Sequence, residues 1–374
     1  MKKTKTVWIF SMTCLIFVFF IFSCKNKKEE EATPEDSFDK SGMLANYADN
    51  LIVPSYSALK ISIDSLAYLN SQFVSNPVLS SLTDLQSGFQ TAYLSYQQVS
   101  VFEFGPAETE LLRASFNVFP CDTVQINSNI SSGIYDLASA SNADAKGLPA
   151  LDFLLYGSSQ NNTQVLAKFT TATDAANAKT YLTALINELK TKSDAVNAGW
   201  VSYASGFKSN TGSDVSGSIG QLVNQLNYDF ELLKNSRIGI PLGKKTLGVP
   251  LPEKAEAFYS QQSLVLAMKN LESIENIYLG RDAQNNDRLG LDDYLVHAGA
   301  QYTSGTLNDA IKNKFVSAKS KLALISGPLS QAVVSDPATV DLAYAELQQL
   351  VVLLKVDMPS ALGVLITYQD NDGD

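Results

Sequence analysis

Residues 181–200 read YLTALINELKTKSDAVNAGW. Their apolar side chains, Tyr181, Leu182, Leu185, Ile186, Leu189, Val196 and Trp200, fall at three- and four-residue spacings or multiples of them. That period marks one face of an α-helix, whereas a half-buried strand alternates at every second residue. Four later runs carry the same period: Ile219, Leu222, Val223, Leu226, Phe230, Leu233; Phe258, Val265, Met268, Leu271, Ile274, Tyr278; Leu307, Ile311, Phe315, Ala318, Leu322, Ile325; and Leu342, Ala345, Leu347, Leu350, Val351, Leu354. Asp336-Pro337 supplies a capping carboxylate and a first-turn proline ahead of the last run. No hairpin or βαβ pattern is present. The chain is therefore predicted to be all-α, with stripes wide enough for bundle packing.

The first half is less regular. A helix is predicted over 43–70, with Pro54 inside it forcing a kink or break. Another spans 81–99, with Leu82, Leu85, Phe89, Tyr93 and Tyr96 on one face. Residues 206–220, GFKSNTGSDVSGSIG, are dense in turn formers. They predict two helical bundles packed side by side, 42–207 and 208–374; a long loop within one bundle is the alternative reading. No tandem repeat appears, which disfavours a solenoid. A length of 374 residues with 45% hydrophobic and 18% charged side chains is that of a globular chain of about two domains.

The chain has one histidine, His297, and three cysteines. A zinc protease of the H-E-x-x-H type and a tri-histidine zinc centre are excluded, and any Ser-His-Asp or Cys-His set would have to use His297. Its place after Asp292-Asp293 fits a cleft ligand or general base, or equally a histidine at a helix end. Residues 1–23 combine lysines with an apolar run of 16 residues from Val7 to Phe22, too short to span a bilayer and matching a secretory signal. The signal ends Ser23-Cys24, so Cys24 is expected to be acylated and to anchor the protein to a membrane. Residues 24–41 then form a charged, flexible tether. Lys28-Glu29-Glu30-Glu31 either resembles the tag that sends some bacterial lipoproteins to the outer surface or is simply a solvated linker. Loss of 1–23 removes three lysines and no acid, leaving 25 basic and 38 acidic side chains and a formal charge of −13. Nucleic acid is not an expected partner for such a surface. Cys121 would be the one remaining thiol, read as a small buried apolar residue with no disulfide partner.

The segment Gly147-Leu148-Pro149-Ala150-Leu151-Asp152-Phe153-Leu154-Leu155-Tyr156-Gly157 sets one carboxylate, Asp152, in an apolar run. Such a group must be paired or have a raised pKa. It either caps or braces a neighbouring helix or belongs to a site. Arg113 and Arg237 are isolated cations that can pair with Asp152 across a cleft or brace a helix.

This segment resembles the G-x-H-x-x-E motif of the imelysin-like proteins, also catalogued as M75 peptidases. Glu103-Phe104-Gly105-Pro106-Ala107, the run SRIGIPLG over 236–243, Phe258-Tyr259-Ser260, Ile277-Tyr278-Leu279-Gly280 and the C-terminal LGVLITYQDNDGD resemble further family pieces in the same order. The resemblance implies two helical bundles with a functional cleft, a cell-envelope location and a link to iron acquisition; some members are described as peptidases. The chain departs from the motif by carrying Pro149 for the histidine and Asp152 for the glutamate. Proline cannot ligate a metal, and one carboxylate cannot replace the three protein ligands of a catalytic zinc. The expectation is therefore an outer-membrane lipoprotein that binds iron or an iron-containing ligand without catalysis and can work with an outer-membrane uptake receptor. Gly147, Pro149, Asp152, Arg113, Arg237 and Tyr259 are its candidate ligand residues, and Asp152 its candidate iron ligand, with other carboxylates or tyrosines. A metallopeptidase with a rearranged site and a helical protein docking to an outer-membrane partner are the alternatives.

Overall fold

The computed structural model describes residues 37–157 and 161–368. The expected signal, Cys24 and most of the tether lie outside the described residues. In chain order α1 (Lys40–Asn46), α2 (Val53–Ser75) and α3 (Leu79–Gln97) precede two short helices, α4 (Pro106–Thr109) and α5 (Leu112–Phe116). Then come α6 (Thr123–Ser132), α7 (Gly147–Tyr156), α8 (Asn162–Thr170) and α9 (Ala175–Ser209), which is 35 residues long. The second half holds α10 (Ser218–Glu231), α11 (Ile240–Leu242), α12 (Ser263–Tyr278), α13 (Leu291–His297), α14 (Leu307–Ala323), α15 (Leu329–Ser335), α16 (Pro337–Val352) and α17 (Met358–Leu362). Among the described residues the strands β1 (Gln301–Tyr302) and β2 (Gly305–Thr306) form one antiparallel pair, in register Gln301 to Thr306. The fold is all-α, as the periodicity predicts. No described helix is long and apolar enough to cross a membrane.

α9 is the central element. It packs against α2, and α2 in turn packs against α3. All seven apolar residues of its stripe are at 0% exposure. Trp200 sits among aromatic rings, with Tyr203 at 5.1 Å, Phe207 at 5.6 Å, Phe104 at 5.8 Å and Tyr56 at 6.2 Å between centroids. The second and fourth stripes are also buried. The third and fifth are partly out of phase. Val265 is 50% exposed and Leu342 is 55% exposed, because α12 turns Leu266, Ala267, Leu271 and Ile274 inward and α16 turns Val340, Ala343 and Leu347 inward. Phe258 precedes α12 and so does not extend its stripe.

Pro54 does not break its helix. A π-helical turn, Tyr47–Ile52, joins α1 to α2, and Val53 retains helical angles of −59° and −46°. Proline lacks an N–H and its ring collides with the carbonyl four residues back, so a widened turn lets the helix pass without a break. The same device recurs twice: Leu232–Gly239 precedes Pro241, and Leu353–Asp357 precedes Pro359.

The described chain from Phe38 onward holds together as one compact unit, and the two bundles expected on either side of 207/208 are not set apart in it. The apolar core is continuous because α10 packs against residues 100–102 and α12 against α3. The turn-rich stretch is a short, pinned connection. Asp214 Oδ1 accepts the backbone N–H groups of Ser216 and Gly217, and Ser218 donates its N–H to the Asn210 carbonyl. The tether also ends earlier than residue 41. Asp39 caps α1 through the Gly42 N–H at 2.7 Å, and Phe38 stacks on Tyr294 at 4.8 Å.

Truncating Trp200 to alanine removes the hub of this aromatic cluster. Urea unfolding of the variant is expected to show a loss of about 3–5 kcal/mol; a loss below about 1 kcal/mol would mean that the cluster contributes little.

Candidate functional site

α7 begins where the chain presses against the end of α5. Gly147 has φ +75°, and a Cβ there would lie 2.6 Å from the Phe116 carbonyl oxygen, so only glycine fits without strain. Pro149 follows in the first turn, where no N–H is required. One turn later Asp152 is 1% exposed. Its Oδ2 accepts the Tyr259 N–H at 2.9 Å and its Oδ1 the Ser260 N–H at 3.1 Å. These amides lie in a turn bracketed by two left-handed non-glycine residues, Ala257 (φ 49°) and Gln261 (φ 62°). That conformation is unfavourable for residues with a Cβ. Asp152 thus clamps a strained turn across from α7. Burial raises its pKa to about 7, against the amide bonds that favour the ionised form.

Immediately before that turn, Glu256 is at 0% exposure. Its Oε1 accepts Gln97 Nε2 at 2.9 Å and Asn117 Nδ2 at 2.6 Å, and its Oε2 accepts Arg237 Nε at 2.9 Å. Arg237, in the second π-helical turn, also donates from Nη1 to Asn270 Oδ1 at 3.2 Å. Asn270 Nδ2 donates to Asp229 Oδ2 at 2.6 Å, and Ser100 Oγ donates to the same oxygen at 3.0 Å. Residues of α3, α10, α12, the π turn and the strap before α12 therefore meet in one buried polar network. Such a network is stable only when its members satisfy one another. Two atoms depart from this: Asp229 Oδ1 and Gln97 Oε1 are buried without a hydrogen-bond partner among the described residues.

A cavity of about 430 Å³ borders the network, lined on one side by Tyr96, Arg113 and Asn117 and on the other by Tyr228, Leu232 and Arg237. Arg113 stacks its guanidinium on Tyr228 at 4.8 Å. Its Nη2 donates to the Ser100 carbonyl at 2.7 Å, while its Nε has no partner among the described residues. No hydrogen bond of Nη1 is seen among the described residues, so Nη1, and not the buried Nε, is the donor left for a ligand in the cavity that Arg113 lines. Leu111, on the cavity wall, is 63% exposed and left-handed at φ 52°. Glu103, also on the wall, accepts the Arg113 N–H at 2.9 Å, and burial raises its pKa.

The candidates divide into two groups. Gly147, Pro149, Asp152 and Tyr259 come together at the clamp, and Arg113 and Arg237 share the cavity wall. Neither arginine forms an ion pair with Asp152: Arg237 is committed to Glu256, and Arg113 to Ser100 and Tyr228. Each Asp152 oxygen accepts one backbone amide. Among the described residues no group of three or more His, Cys, Asp or Glu side chains is placed to hold a metal ion. The donor set thus does not fit a resident metal. His297 is exposed in the last turn of α13, where an imidazole complements the helix dipole, and takes no part in the cavity. Cys121 is half-buried, and burial pushes its thiol pKa up to about 12.

Glu256, Asp229 and Asn270 are the residues missed. Asp229 lies seven residues after Leu222 and four before Leu233, on the apolar stripe of α10, so a carboxylate in phase with a buried face was a usable signal. Asn270 stands likewise four residues after Leu266. Glu256 lies in an aperiodic strap and had no such mark.

Two measurements check these roles. Glu256→Ala leaves Arg237 buried and unpaired, with an expected loss of about 3–5 kcal/mol in chemical unfolding; a loss under about 1 kcal/mol would count against the network. Asp152 holds its proton more tightly folded than unfolded, so it contributes a downward slope of stability against pH between about 4 and about 7. Asp152→Asn should flatten that slope, and equal slopes would contradict the assignment.

The family model of imelysin, Peptidase_M75, matches residues 52–356. Among solved structures, a putative iron-regulated protein A precursor from Parabacteroides distasonis ATCC 8503 superposes with a TM-score of 0.72 at 17% identity, covering 86% of this chain and 95% of that one. An imelysin-like protein from Psychrobacter arcticum 273-4 has a TM-score of 0.67 at 19% identity, covering 88% and 97%. No curated protein matches the chain. With the family model spanning most of its length, and with the same helical fold in both solved structures, this chain belongs to the imelysin family.

Proposed function

We propose that this imelysin-family protein is a non-catalytic, envelope-anchored binding protein that captures an iron-containing ligand in the cavity beside Arg113. The reading rests on one observation above the rest: a half-buried guanidinium over the Tyr228 ring, with Nη1 unpartnered among the described residues, on the wall of a cavity of about 430 Å³. Cavities of this size suit small organic ligands. Guanidinium groups recognise carboxylate and other anionic oxygens, and stacking keeps the fork oriented. Iron would therefore arrive as a complex whose organic oxygens face Arg113, rather than as a bare ion bound by side chains. The solved neighbour's description as iron-regulated supports the choice of iron. The signal-like leader and Cys24 support an outer-membrane lipoprotein within reach of an uptake receptor.

Binding of ferric complexes of carboxylate and catecholate chelators to the full chain, followed by tryptophan fluorescence and by iron content after gel filtration, tests this reading. Arg113→Ala is expected to weaken the best complex by about ten-fold or more, the cost of a lost charged hydrogen bond, while Asp152→Asn stays within about two-fold. Loss of binding in Asp152→Asn with Arg113→Ala unaffected would return the site to the motif. Chelator-sensitive peptide cleavage would overturn the non-catalytic reading.

A further inference from the structure

A second cavity, of about 470 Å³, shares no lining residue with the first. Its wall carries three cations, Lys269, Arg281 and Lys319, and two carboxylates, Glu272 and Glu275. This is a local excess of one positive charge in a chain whose formal charge is −10. The charges are not equally engaged. Lys319 is hydrogen-bonded to Glu275. Lys269 approaches Glu272 only to 3.8 Å, beyond hydrogen-bond distance. Arg281 is half-buried, and its backbone N–H is tied to the Asn276 carbonyl at 2.8 Å, just past the end of α12. No hydrogen bond or ion pair of its guanidinium is seen among the described residues. The excess charge therefore resides on Arg281.

From this arrangement we infer that the second cavity binds a small hydroxylated monocarboxylate, with Arg281 gripping the carboxylate. Guanidinium and carboxylate match in a two-bond fork, which a half-buried arginine without a protein partner lacks. One negative charge neutralises the wall. A phosphate dianion would overshoot and sit beside Glu272 and Glu275, where like charges repel. The amides of Asn276 and Asn285 also line the cavity and offer both donors and acceptors, as hydroxyl groups require. An apolar acid would leave these groups unpaired, a loss that disfavours it.

The test uses the full chain with D-gluconate and D-glucuronate as probes, D-glucose and inorganic phosphate as comparisons, and isothermal titration as the readout. At least one carboxylate is expected to bind while glucose and phosphate do not. Arg281→Gln is expected to weaken binding by about ten-fold or more, and Arg281→Lys by less, because the charge remains without the fork. No hydrogen bond or ion pair of the Arg281 side chain among the described residues is lost, so Arg281→Gln should melt with the wild-type protein. Arg113→Ala should leave this affinity unchanged, which separates the two cavities. The inference is overturned if neither carboxylate binds, if Arg281→Gln binds as well as wild type, or if phosphate binds more tightly than the carboxylates.

Discussion

The Glu256 carboxylate is the constraint on which the rest of this structure depends. Fully buried, it accepts hydrogen bonds from Gln97 at the end of α3, Asn117 just beyond α5 and Arg237 in a π-helical turn of the second half. A buried ion pair adds little net stability compared with apolar packing, because both charges lose their hydration. Its effect here is positional. An acceptor that must find all its donors admits few alternative packings, and the donors come from segments far apart in sequence. The strap that carries Glu256 is thereby drawn across the molecule, which brings Tyr259 and Ser260 to Asp152 and sets Arg237 in the wall of the first cavity.

Asp152 illustrates how a motif position can keep its polarity and change its use. The segment 147–157 keeps its glycines and its acid, but Pro149 removes the imidazole, and both carboxylate oxygens hold backbone amides. Two left-handed residues in the clamped turn explain why an acid remains there. A strained turn buried against α7 needs its amides satisfied, and an apolar side chain at 152 would leave two of them orphaned. The proposed binding site accordingly lies off the motif, at the adjoining wall that Arg113 lines.

The π-helical turns serve the same end in the backbone. Each is followed by a proline at the second helical position, and the second of them carries Arg237. Widening the turn shifts the phase of the helix that follows, so side chains beyond it face where an unbroken α-helix would not send them. A helical wheel drawn through such a segment fails for this reason. It fails at α12 and α16 for a simpler one: several consecutive apolar residues permit more than one phase, and only neighbouring helices select among them.

The all-α class was legible in the sequence, because burial of an apolar stripe at 3.6-residue spacing needs no knowledge of its partner. Residues 181–200 show this most plainly: each apolar side chain on the stripe is buried. The proline-for-histidine exchange was equally legible, since ligating power belongs to a residue type. The pairing of polar groups was decided by tertiary structure alone. Asp152 meets residues 107 and 108 positions away, Glu256 meets Gln97 across 159, and Arg113 lies on Tyr228. A charge reveals that it needs a partner; which partner it finds depends on where the packed helices bring the distant donors.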